Sequence, residues 1–438
     1  MSTKPIVDGE VSQSREPASQ KETFASAGTS SAKVLCIVSM YLPETGATGR
    51  RTHSMVNALA QKGYELQLIT QIPHYPKRVI FPEYRGKFFC NETYPYGRVA
   101  RIRPLIFKKQ SFVWRSVSEI WFAFWASFVG IAGKKPDFVF ATTPSMFTLF
   151  AARLVATLRG SALIVEFRDL TWLYASALSP AMKRASSLLE KQLLRVARSA
   201  QGVFCANESI RQYLVERGVR AETCLTISNG VDKTLLAQQE VAHSEQTGFH
   251  AMYVGLLGHP QGLSILVEAA RLLQEDPRYQ ITLVGDGPEM KDLQALANKH
   301  ELKNIHFAGN VPPEQLGTWY KQADILIVHL RPEPEFDHAL PSKVFEYMAA
   351  KKPLIFAGNG PGADVVREAD AGLVISPGQI NKMVDAIRYL ATHPDSALKY
   401  GQNGYHHVVT YYRREVLLER LVTFFDTLNF ELGRAKRR

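Results

Sequence analysis

Short apolar runs alternate with segments of helical periodicity along most of this chain, and the alternation occurs twice. The first series begins with the apolar run at residues 34–39, and the second begins at residues 251–254. Alternating strand and helix patterns are typical of parallel sheets covered by helices. We therefore expect an α/β protein with two Rossmann-like, doubly wound domains facing a cleft. The predicted parts are a disordered tail at 1–32, a first domain at 33–232, a linker at 233–248, a second domain at 249–405, and a closing helix with a basic tail at 406–438, which crosses back to the first domain.

The most informative segment of the second domain, residues 340–350, reads as a loop that becomes a helix at Pro341. Proline suits the first helical position, and the free N–H groups of Ser342 and Lys343 would then favour an anion, to which the lysine adds a full charge. Glu346 lies on the same face as Ser342, where its carboxylate can accept hydrogen bonds from sugar or ribose hydroxyls. This pattern indicates a nucleotide-sugar site; an ordinary capped helix with an apolar core face is the alternative.

Glycines follow two of the predicted strands. In the first domain, Gly46 and Gly49 precede Arg50 at the start of a predicted helix, with the spacing of an incomplete dinucleotide motif. Such a turn indicates either a close approach of the backbone to a ligand or a simple helix entry. In the second domain, Gly285 and Gly287 follow the strand predicted at 281–284. We include Gly46, Arg50, Gly285 and Gly287 among the candidate donor-binding residues, because ligands of doubly wound domains lie at the carboxyl ends of the strands.

Composition narrows the function further. The chain has 438 residues and a net charge of +11, which favours an anionic partner such as a phosphorylated substrate or an anionic lipid surface. Its four cysteines form no C-x-x-C pair, as expected for free thiols in a reducing compartment. The zinc-binding motif H-E-x-x-H and the hydrolase motif G-x-S-x-G do not occur, so neither kind of site has support in the sequence. The basic residues at 434–438 are expected to be a solvated tail, so nucleic acid is not an expected partner.

An aromatic segment at residues 107–135 is unusual for a soluble enzyme and has basic residues at both ends. Its uncharged run at 120–133 is too short to span a bilayer, which takes about 20 apolar residues. Tryptophans beside basic flanks are typical of a helix that lies in the membrane interface. We therefore expect contact with an anionic membrane surface, with a buried core helix as the alternative. The candidate membrane residues are Trp114, Trp121, Trp125 and Phe128.

Seven motifs occur in order between residues 41 and 349. They are Tyr41-Leu42-Pro43-Glu44 with Gly46, Pro73-His74-Tyr75-Pro76, Glu166-Phe167-Arg168-Asp169-Leu170, Asn229-Gly230-Val231-Asp232, Gln261-Gly262-Leu263, Val284-Gly285-Asp286-Gly287-Pro288-Glu289, and Pro341-Ser342-Lys343 continuing through Glu346-Tyr347-Met348-Ala349. In this order they resemble the GT-B glycosyltransferases of family 4, in the branch that makes bacterial O-antigen and capsular polysaccharide. The resemblance implies a nucleotide-sugar donor in the second domain, an acceptor in the first, retention of anomeric configuration, and no bound metal.

The resemblance assigns roles unevenly in the second domain. Glu346 matches the second glutamate of the family's E-x7-E pattern, which is expected on the donor ribose. The first glutamate would fall at His338, so the adjacent Asp337 is our candidate to orient the donor sugar. Many members carry an arginine and a lysine where Leu256 and Gln261 stand here. Two cations that bind the diphosphate are therefore missing.

Other residues must replace those cations. Lys343 is the first choice, and Arg50 or Arg51 across the cleft is the second. In the first domain, the resemblance places Glu166, Arg168 and Asp169 at a strand end near the acceptor.

The main hypothesis is a glycosyltransferase that needs no cofactor beyond its nucleotide-sugar donor, with a UDP-sugar favoured. Its acceptor is expected to be polyprenyl-linked, or otherwise a saccharide, and its place is the cytoplasmic face of the plasma membrane as a peripheral protein. In catalysis, Lys343 would stabilise the departing diphosphate, Glu346 would bind the ribose and Asp337 would orient the sugar. Two alternatives remain: a nucleotide-sugar epimerase of the same fold, and a non-catalytic membrane-associated scaffold.

Overall fold

The computed structural model describes residues 32–44, 47–75, 78–107, 112–176, 180–237 and 248–436. The predicted disordered tail, apart from Ala32, lies outside the described residues, as do Gly46 and residues 238–247 of the predicted linker. The described residues form two α/β units, each built around one sheet. This confirms the predicted fold class of two doubly wound domains.

The first domain contains an eight-stranded sheet with the order β3-β4-β2-β1-β5-β6-β7-β8. All neighbouring strands are parallel except β3 and β4, which form an antiparallel hairpin at one edge. The sequence did not predict this hairpin, because its residues alternate between exposed and half-buried positions and form no apolar run. The strands are β1 (Lys33–Ile37), β2 (Glu65–Gln71), β3 (Phe89–Tyr94), β4 (Gly97–Ile102), β5 (Phe138–Thr142), β6 (Ala162–Phe167), β7 (Gly202–Cys205) and β8 (Cys224–Thr226).

Helices cover both faces of this sheet. Successive side chains of a strand point to opposite faces, and in β1 they enter two separate apolar layers: Leu35 and Ile37 pack in one, and Val34 and Cys36 in the other. The helices of the first domain are α1 (Ala47–Gln61), α2 (Phe112–Ala132), α3 (Met146–Arg159), α4 (Thr171–Ser176), α5 (Pro180–Ser199) and α6 (Glu208–Glu216).

The second domain contains a six-stranded, all-parallel sheet with the order β11-β10-β9-β12-β13-β14. Its strands are β9 (Phe249–Val254), β10 (Tyr279–Val284), β11 (Ile305–Gly309), β12 (Ile325–His329), β13 (Leu354–Ala357) and β14 (Gly372–Ile375). Its helices are α7 (Lys233–Ala237), α8 (Ser264–Leu273), α9 (Met290–Lys299), α10 (Leu316–Gln322), α11 (Lys343–Ala349), α12 (Gly360–Glu368), α13 (Ile380–Thr392) and α14 (Pro394–Tyr411). The segment α7 lies within the predicted linker, yet its Leu235 and Leu236 pack on the core of the second domain.

A last helix, α15 (Arg414–Lys436), returns to the first domain. Phe425 is fully buried there, with its ring 5.5 Å from that of Phe138, and Tyr64 donates a hydrogen bond of 2.6 Å to Asp426. The crossing segment begins at Arg414, because α14 continues through residues 406–411 and packs against α11 of the second domain. The two domains are therefore joined twice, by the chain near residue 231 and by α15.

The aromatic segment forms α2, which packs mainly against α3 on the first domain. One face of α2 is buried, including Phe122 and Ala126, and the opposite face is exposed. Among the described residues, no helix is long and apolar enough to cross a membrane.

Candidate functional site

The helix α11 is short and firmly anchored. It has seven residues and begins at Lys343, two positions after the predicted start at Pro341. Its buried Tyr347 accepts a hydrogen bond of 2.8 Å from the amide of Val254 and donates one of 3.0 Å to the carbonyl of the same residue. Because Val254 ends β9, these two bonds hold the start of α11 at the carboxyl end of the second sheet.

The Lys343 ammonium lies over an aromatic ring rather than in water. Its Nζ atom is 4.0 Å from the ring centroid of Tyr253 and donates a hydrogen bond to the Tyr253 hydroxyl, which in turn donates one of 2.7 Å to the carbonyl of Leu256. Gly255 leaves room for this position, since a Cβ there would lie 2.7 Å from Nζ. Burial lowers the pKa of Lys343 from 10.5 to about 7, with Glu346 opposing the shift. A cation held this way is poorly hydrated and would gain from an anionic ligand.

Glu346 is fixed from behind by a buried tyrosine. The Tyr320 hydroxyl donates a hydrogen bond of 3.0 Å to one carboxylate oxygen of Glu346. Burial, together with the nearby Glu346 carboxylate, raises the pKa of Tyr320 well above its ordinary value, so the phenol stays a donor. The other carboxylate oxygen accepts no hydrogen bond from the described part of the chain, so it can accept one from a ligand.

A cavity between the two domains brings several predicted residues together. It contains Ser342 and Glu346 on one side and Arg50 and Arg51 of α1 on the other. Within the described residues, the Arg50 guanidinium has no hydrogen bond or ion pair, and the side chain is exposed. The remaining walls come from Glu166, from the segment at residues 227–230 that connects the two domains and is called the hinge here, and from α15, whose contribution includes Arg414, Leu417, Leu418 and Leu421.

The other two arginines of this cavity are committed to the protein. Arg51 donates two hydrogen bonds to one oxygen of Glu166, at 2.6 and 2.9 Å, and others to the carbonyls of Ile227 and Ser228 at 2.7 and 3.0 Å. Arg414 donates a hydrogen bond of 2.6 Å to the Asp232 carboxylate and one of 2.9 Å to the Gly230 carbonyl. These bonds join α1, the hinge and α15, so the two arginines position the domains, and Arg50 is the cation left for a ligand.

The predicted acceptor-side residues lie at the carboxyl end of β6, but they differ in environment. Glu166 is buried and also accepts a hydrogen bond of 2.6 Å from Thr142. Burial alone would raise the pKa of Glu166, but Arg51 and Arg168 hold it below its ordinary value. By contrast, burial raises the pKa of Asp169 against the effect of the neighbouring Arg168, and one carboxylate oxygen of Asp169 has no partner among the described residues.

The loop before α11 contacts the first domain. His338, which stands where the family's first glutamate is expected, points its Nδ1 atom at the Ser209 hydroxyl at 2.7 Å, and its carbonyl accepts a bond of 3.0 Å from Asn207. Asp337 instead accepts a hydrogen bond of 3.1 Å from Asn359 within its own domain. His338 therefore makes a contact between the domains, whereas the side chain of Asp337 bonds within the second domain.

The predicted glycines allow close approaches of backbone segments. A Cβ on Gly285, where φ is +136°, would lie 1.9 Å from the carbonyl oxygen of Gly255, and one on Gly287 would lie 2.2 Å from that of Leu257. A Cβ on Gly49 would likewise lie 2.6 Å from the carbonyl oxygen of Glu44. Gly285 and Gly287 allow the loop after β10 to pack closely on residues 255–257, beside Lys343, whereas Gly49 belongs to α1 of the first domain and Gly46 lies outside the described residues.

The positions of the missing cations hold no substitute charge. Leu256 is 55% exposed, and the side-chain oxygen of Gln261 is buried without a partner among the described residues.

Sequence reasoning missed Tyr253, Tyr320 and Arg414, although each fixes a residue of the site. The two tyrosines fall within ordinary apolar patterns, and Arg414 reaches the cavity only through the return of α15, so no local signal marked them.

Two family models match the chain. One, described as glycosyl transferases group 1, matches residues 237–407, and the other, a glycosyl transferase 4-like domain, matches residues 46–230. A putative colanic acid biosynthesis glycosyl transferase of Escherichia coli K12 is 25% identical over 336 residues, which cover 72% of this chain and 81% of that protein.

Solved structures show the same fold. A sucrose-phosphate synthase from Thermosynechococcus elongatus matches with a TM-score of 0.72 at 18% identity, over 91% of this chain and all of that one. An Anabaena protein solved in complex with UDP-glucose matches with a TM-score of 0.65 at 15% identity, over 91% of this chain and 99% of that one. Together with the two family models, which cover both domains, these matches identify the chain as a member of glycosyltransferase family 4, an enzyme of the GT-B fold that transfers a sugar from a nucleotide donor.

Proposed function

We propose that this enzyme transfers a sugar from a nucleotide diphosphate to a polyprenyl-linked acceptor during the synthesis of a bacterial surface polysaccharide, with retention of anomeric configuration. A UDP-sugar is the favoured donor. The observation that carries the proposal is the desolvated ammonium of Lys343 at the carboxyl end of the second sheet. The relative named for colanic acid biosynthesis supports a role in polysaccharide synthesis, and the neighbour solved with UDP-glucose supports the donor.

Lys343 acts on the leaving group. As the bond from the sugar to the diphosphate breaks, negative charge grows on the β-phosphate, and a cation already in place stabilises it without reorganisation. Because α11 has only seven residues, the charge of Lys343 matters more than the dipole of this helix. Arg50 supplies a second, unpaired cation from the opposite wall of the cleft.

Two acidic residues orient the donor. Glu346, held by Tyr320, accepts hydrogen bonds from the ribose hydroxyls. Asp337 binds hydroxyls of the transferred sugar in place of the family's first glutamate, and Asn359 fixes its carboxylate. In the first domain, Glu166 holds Arg51 and the hinge, while Arg168 and Asp169 face the acceptor.

The exposed face of α2 binds an anionic membrane surface. Val117, Ile120, Phe124 and Phe128 form one stripe along the helix, and the two phenylalanines are 63% and 62% exposed. Trp114 is exposed beside the stripe, whereas Trp121 and Trp125 lie along the edge of the stripe and are half-buried. Exposed lysines follow the end of α2 at positions 134 and 135, and the chain carries +11 charges overall. An apolar stripe beside basic residues fits an anionic bilayer, where the acceptor's lipid would reside.

A turnover assay tests the reaction. The purified full-length protein is given UDP-sugars and a polyprenyl diphosphate-linked saccharide, and the product is identified by mass spectrometry. The Lys343→Ala variant should lose about 10²–10³-fold in kcat, as expected when a group that stabilises charge in the transition state is removed. The Lys382→Ala variant, which removes an exposed lysine of the same domain, should retain full activity. Unchanged turnover in Lys343→Ala would refute the role of this residue, and absence of transfer with every donor would refute the proposed reaction.

Vesicle sedimentation tests the membrane surface. Replacing Phe124 and Phe128 by serine removes apolar area worth roughly 2 kcal/mol, so binding to vesicles containing phosphatidylglycerol should fall about 30-fold. The Leu398→Ser variant alters a side chain that is 61% exposed on the second domain and should bind like the wild type. Equal binding by all three proteins would rule out α2 as the membrane contact.

A further inference from the structure

A group of charged side chains continues from the donor cavity towards α2. Arg168 and Asp169 follow β6, and Arg115 and Glu119 lie on the first half of α2. Three of these residues contact the turn at residues 143–146: the backbone amide of Arg168 donates a bond of 2.8 Å to the Thr143 hydroxyl, the Arg115 guanidinium donates one of 3.2 Å to the Pro144 carbonyl, and Glu119 accepts one of 3.0 Å from the Met146 amide. Arg168 and Arg115 also both lie close enough to Asp169 to oppose the rise that burial causes in its pKa, so the two arginines share one region at the carboxyl ends of β5 and β6.

The Arg168 guanidinium lacks an acceptor. Its Nε and Nη1 atoms are buried and have no hydrogen-bond partner among the described residues, and no carboxylate in this part of the chain pairs with it within 4.0 Å. Leaving buried donors unsatisfied is costly. A planar guanidinium with free donors suits a phosphate, which accepts two parallel hydrogen bonds.

The surrounding charges also favour an anion. Arg115 donates to Glu119 at 2.9 Å as well as to the Pro144 carbonyl, yet its side chain remains 53% exposed and accessible to a ligand. Burial, together with the positive charge of the nearby Arg115, lowers the pKa of Arg78, which lies on the loop after β2. Burial raises the pKa values of Glu119 and Asp169, and the nearby arginines oppose this shift.

The position of this group suits one part of a lipid-linked acceptor. On one side, Arg168 is electrostatically coupled to Glu166 and Arg51, and Arg51 lines the donor cavity. On the other side, Arg115 belongs to α2, next to the exposed Trp114 and the apolar stripe. A molecule that extends from the donor cavity to α2 would place a saccharide at the cavity, an anion at Arg168 and Arg115, and a lipid along α2.

We propose that Arg168 and Arg115 form a subsite for the phosphate groups of the lipid-linked acceptor, between the saccharide at the donor cavity and the lipid chain on α2. This inference rests on the proposed transfer to a lipid-linked acceptor and names the part of the acceptor that the protein recognises. The unpartnered oxygen of Asp169 accepts a hydrogen bond from the first sugar hydroxyl beyond the phosphate.

Calorimetry with a short-chain mimic tests the subsite. Farnesyl diphosphate is titrated into the full chain saturated with UDP, which keeps the probe out of the donor diphosphate position. Arg168→Gln should raise the Kd for farnesyl diphosphate at least tenfold and leave the Kd for UDP unchanged. The control Arg195→Gln removes the same charge from the exposed face of α5 and should change neither constant.

Control ligands and a second variant decide between the possible outcomes. Farnesol should bind weakly because it lacks the anion, and inorganic diphosphate weakly because it lacks the lipid; diphosphate binding as tight as that of farnesyl diphosphate would mean a site for free phosphate and would overturn the lipid assignment. An unchanged farnesyl diphosphate Kd in Arg168→Gln also overturns the proposal. If that variant does not fold, the more exposed Arg115→Gln replaces it, with the same expected loss. Failure of the wild type to bind UDP would count instead against the proposed function.

Discussion

The environment of Lys343 gives nucleotide binding a pH dependence of predictable sign. Burial against Tyr253 lowers the pKa of Lys343 to about 7 in the free protein, so the amine is half charged at neutral pH. A bound diphosphate raises that pKa, because an adjacent opposite charge favours the ionised form. UDP binding must therefore take up a proton, and affinity must fall as pH rises above 7.

The magnitude follows from the charged fraction. If only the ammonium form binds, this fraction falls from ~0.5 at pH 7 to ~0.01 at pH 9, so the Kd for UDP rises about 50-fold, or ~2.3 kcal/mol. The terminal phosphate of UDP, with a pKa of about 6, is largely ionised throughout this range and does not oppose the trend. Proton uptake should be about 0.5 per UDP at pH 7 and about 0.9 at pH 8.

Isothermal titration calorimetry in buffers of different ionisation enthalpy measures both quantities. The Lys343→Arg variant is the matched control, because a guanidinium stays charged up to pH 9 and should show no proton uptake and a flat Kd. The Lys343→Met variant should bind weakly at every pH. A flat Kd with no proton uptake in the wild type would refute the reasoning, since Lys343 would then either miss the diphosphate or already be fully charged.

Three further changes test the surrounding structure. Arg51→Ala leaves the buried Glu166 carboxylate unpaired and should lower the free energy of unfolding by roughly 3–5 kcal/mol in urea denaturation; a loss below about 1 kcal/mol would contradict a buried pair. Gly255→Ala places a Cβ 2.7 Å from the lysine ammonium and should raise the Kd for UDP at least tenfold, about 1.4 kcal/mol, whereas Gly309→Ala, with positive φ but no atom within 4 Å, should not. Glu346→Gln removes the charge from the ribose contact and should raise the Kd for UDP about tenfold; equal affinity for UDP and for 2′,3′-dideoxy-UDP in the wild type would rule that contact out.

The alternation of strands and helices was readable from the sequence because buried parallel strands are continuous apolar runs. It predicted both sheets and the position of α11, but it missed the β3–β4 hairpin, whose edge strand is half solvated. The segment at α2 was predicted as a helix that lies in the membrane interface, with a buried core helix as the alternative. In the structure, one face of α2 is buried and the opposite face is exposed. The hydropathy pattern could not predict this, because it does not show which face packs against the rest of the protein.

The sequence by itself determined that this chain has two α/β domains, and that Ser342, Lys343 and Glu346 come together at one helix end, because residues close in sequence share local geometry. Only the tertiary structure decided their chemistry. Tyr253 and Gly255, at the end of β9, exclude water from Lys343, and Glu166, at the end of β6, pairs with Arg51 of α1. Among the described residues, Arg50 is then the arginine of the cavity whose side chain has no partner. A side chain's charge state depends on the groups packed around it, and those groups are distant in the sequence and are brought together by the fold.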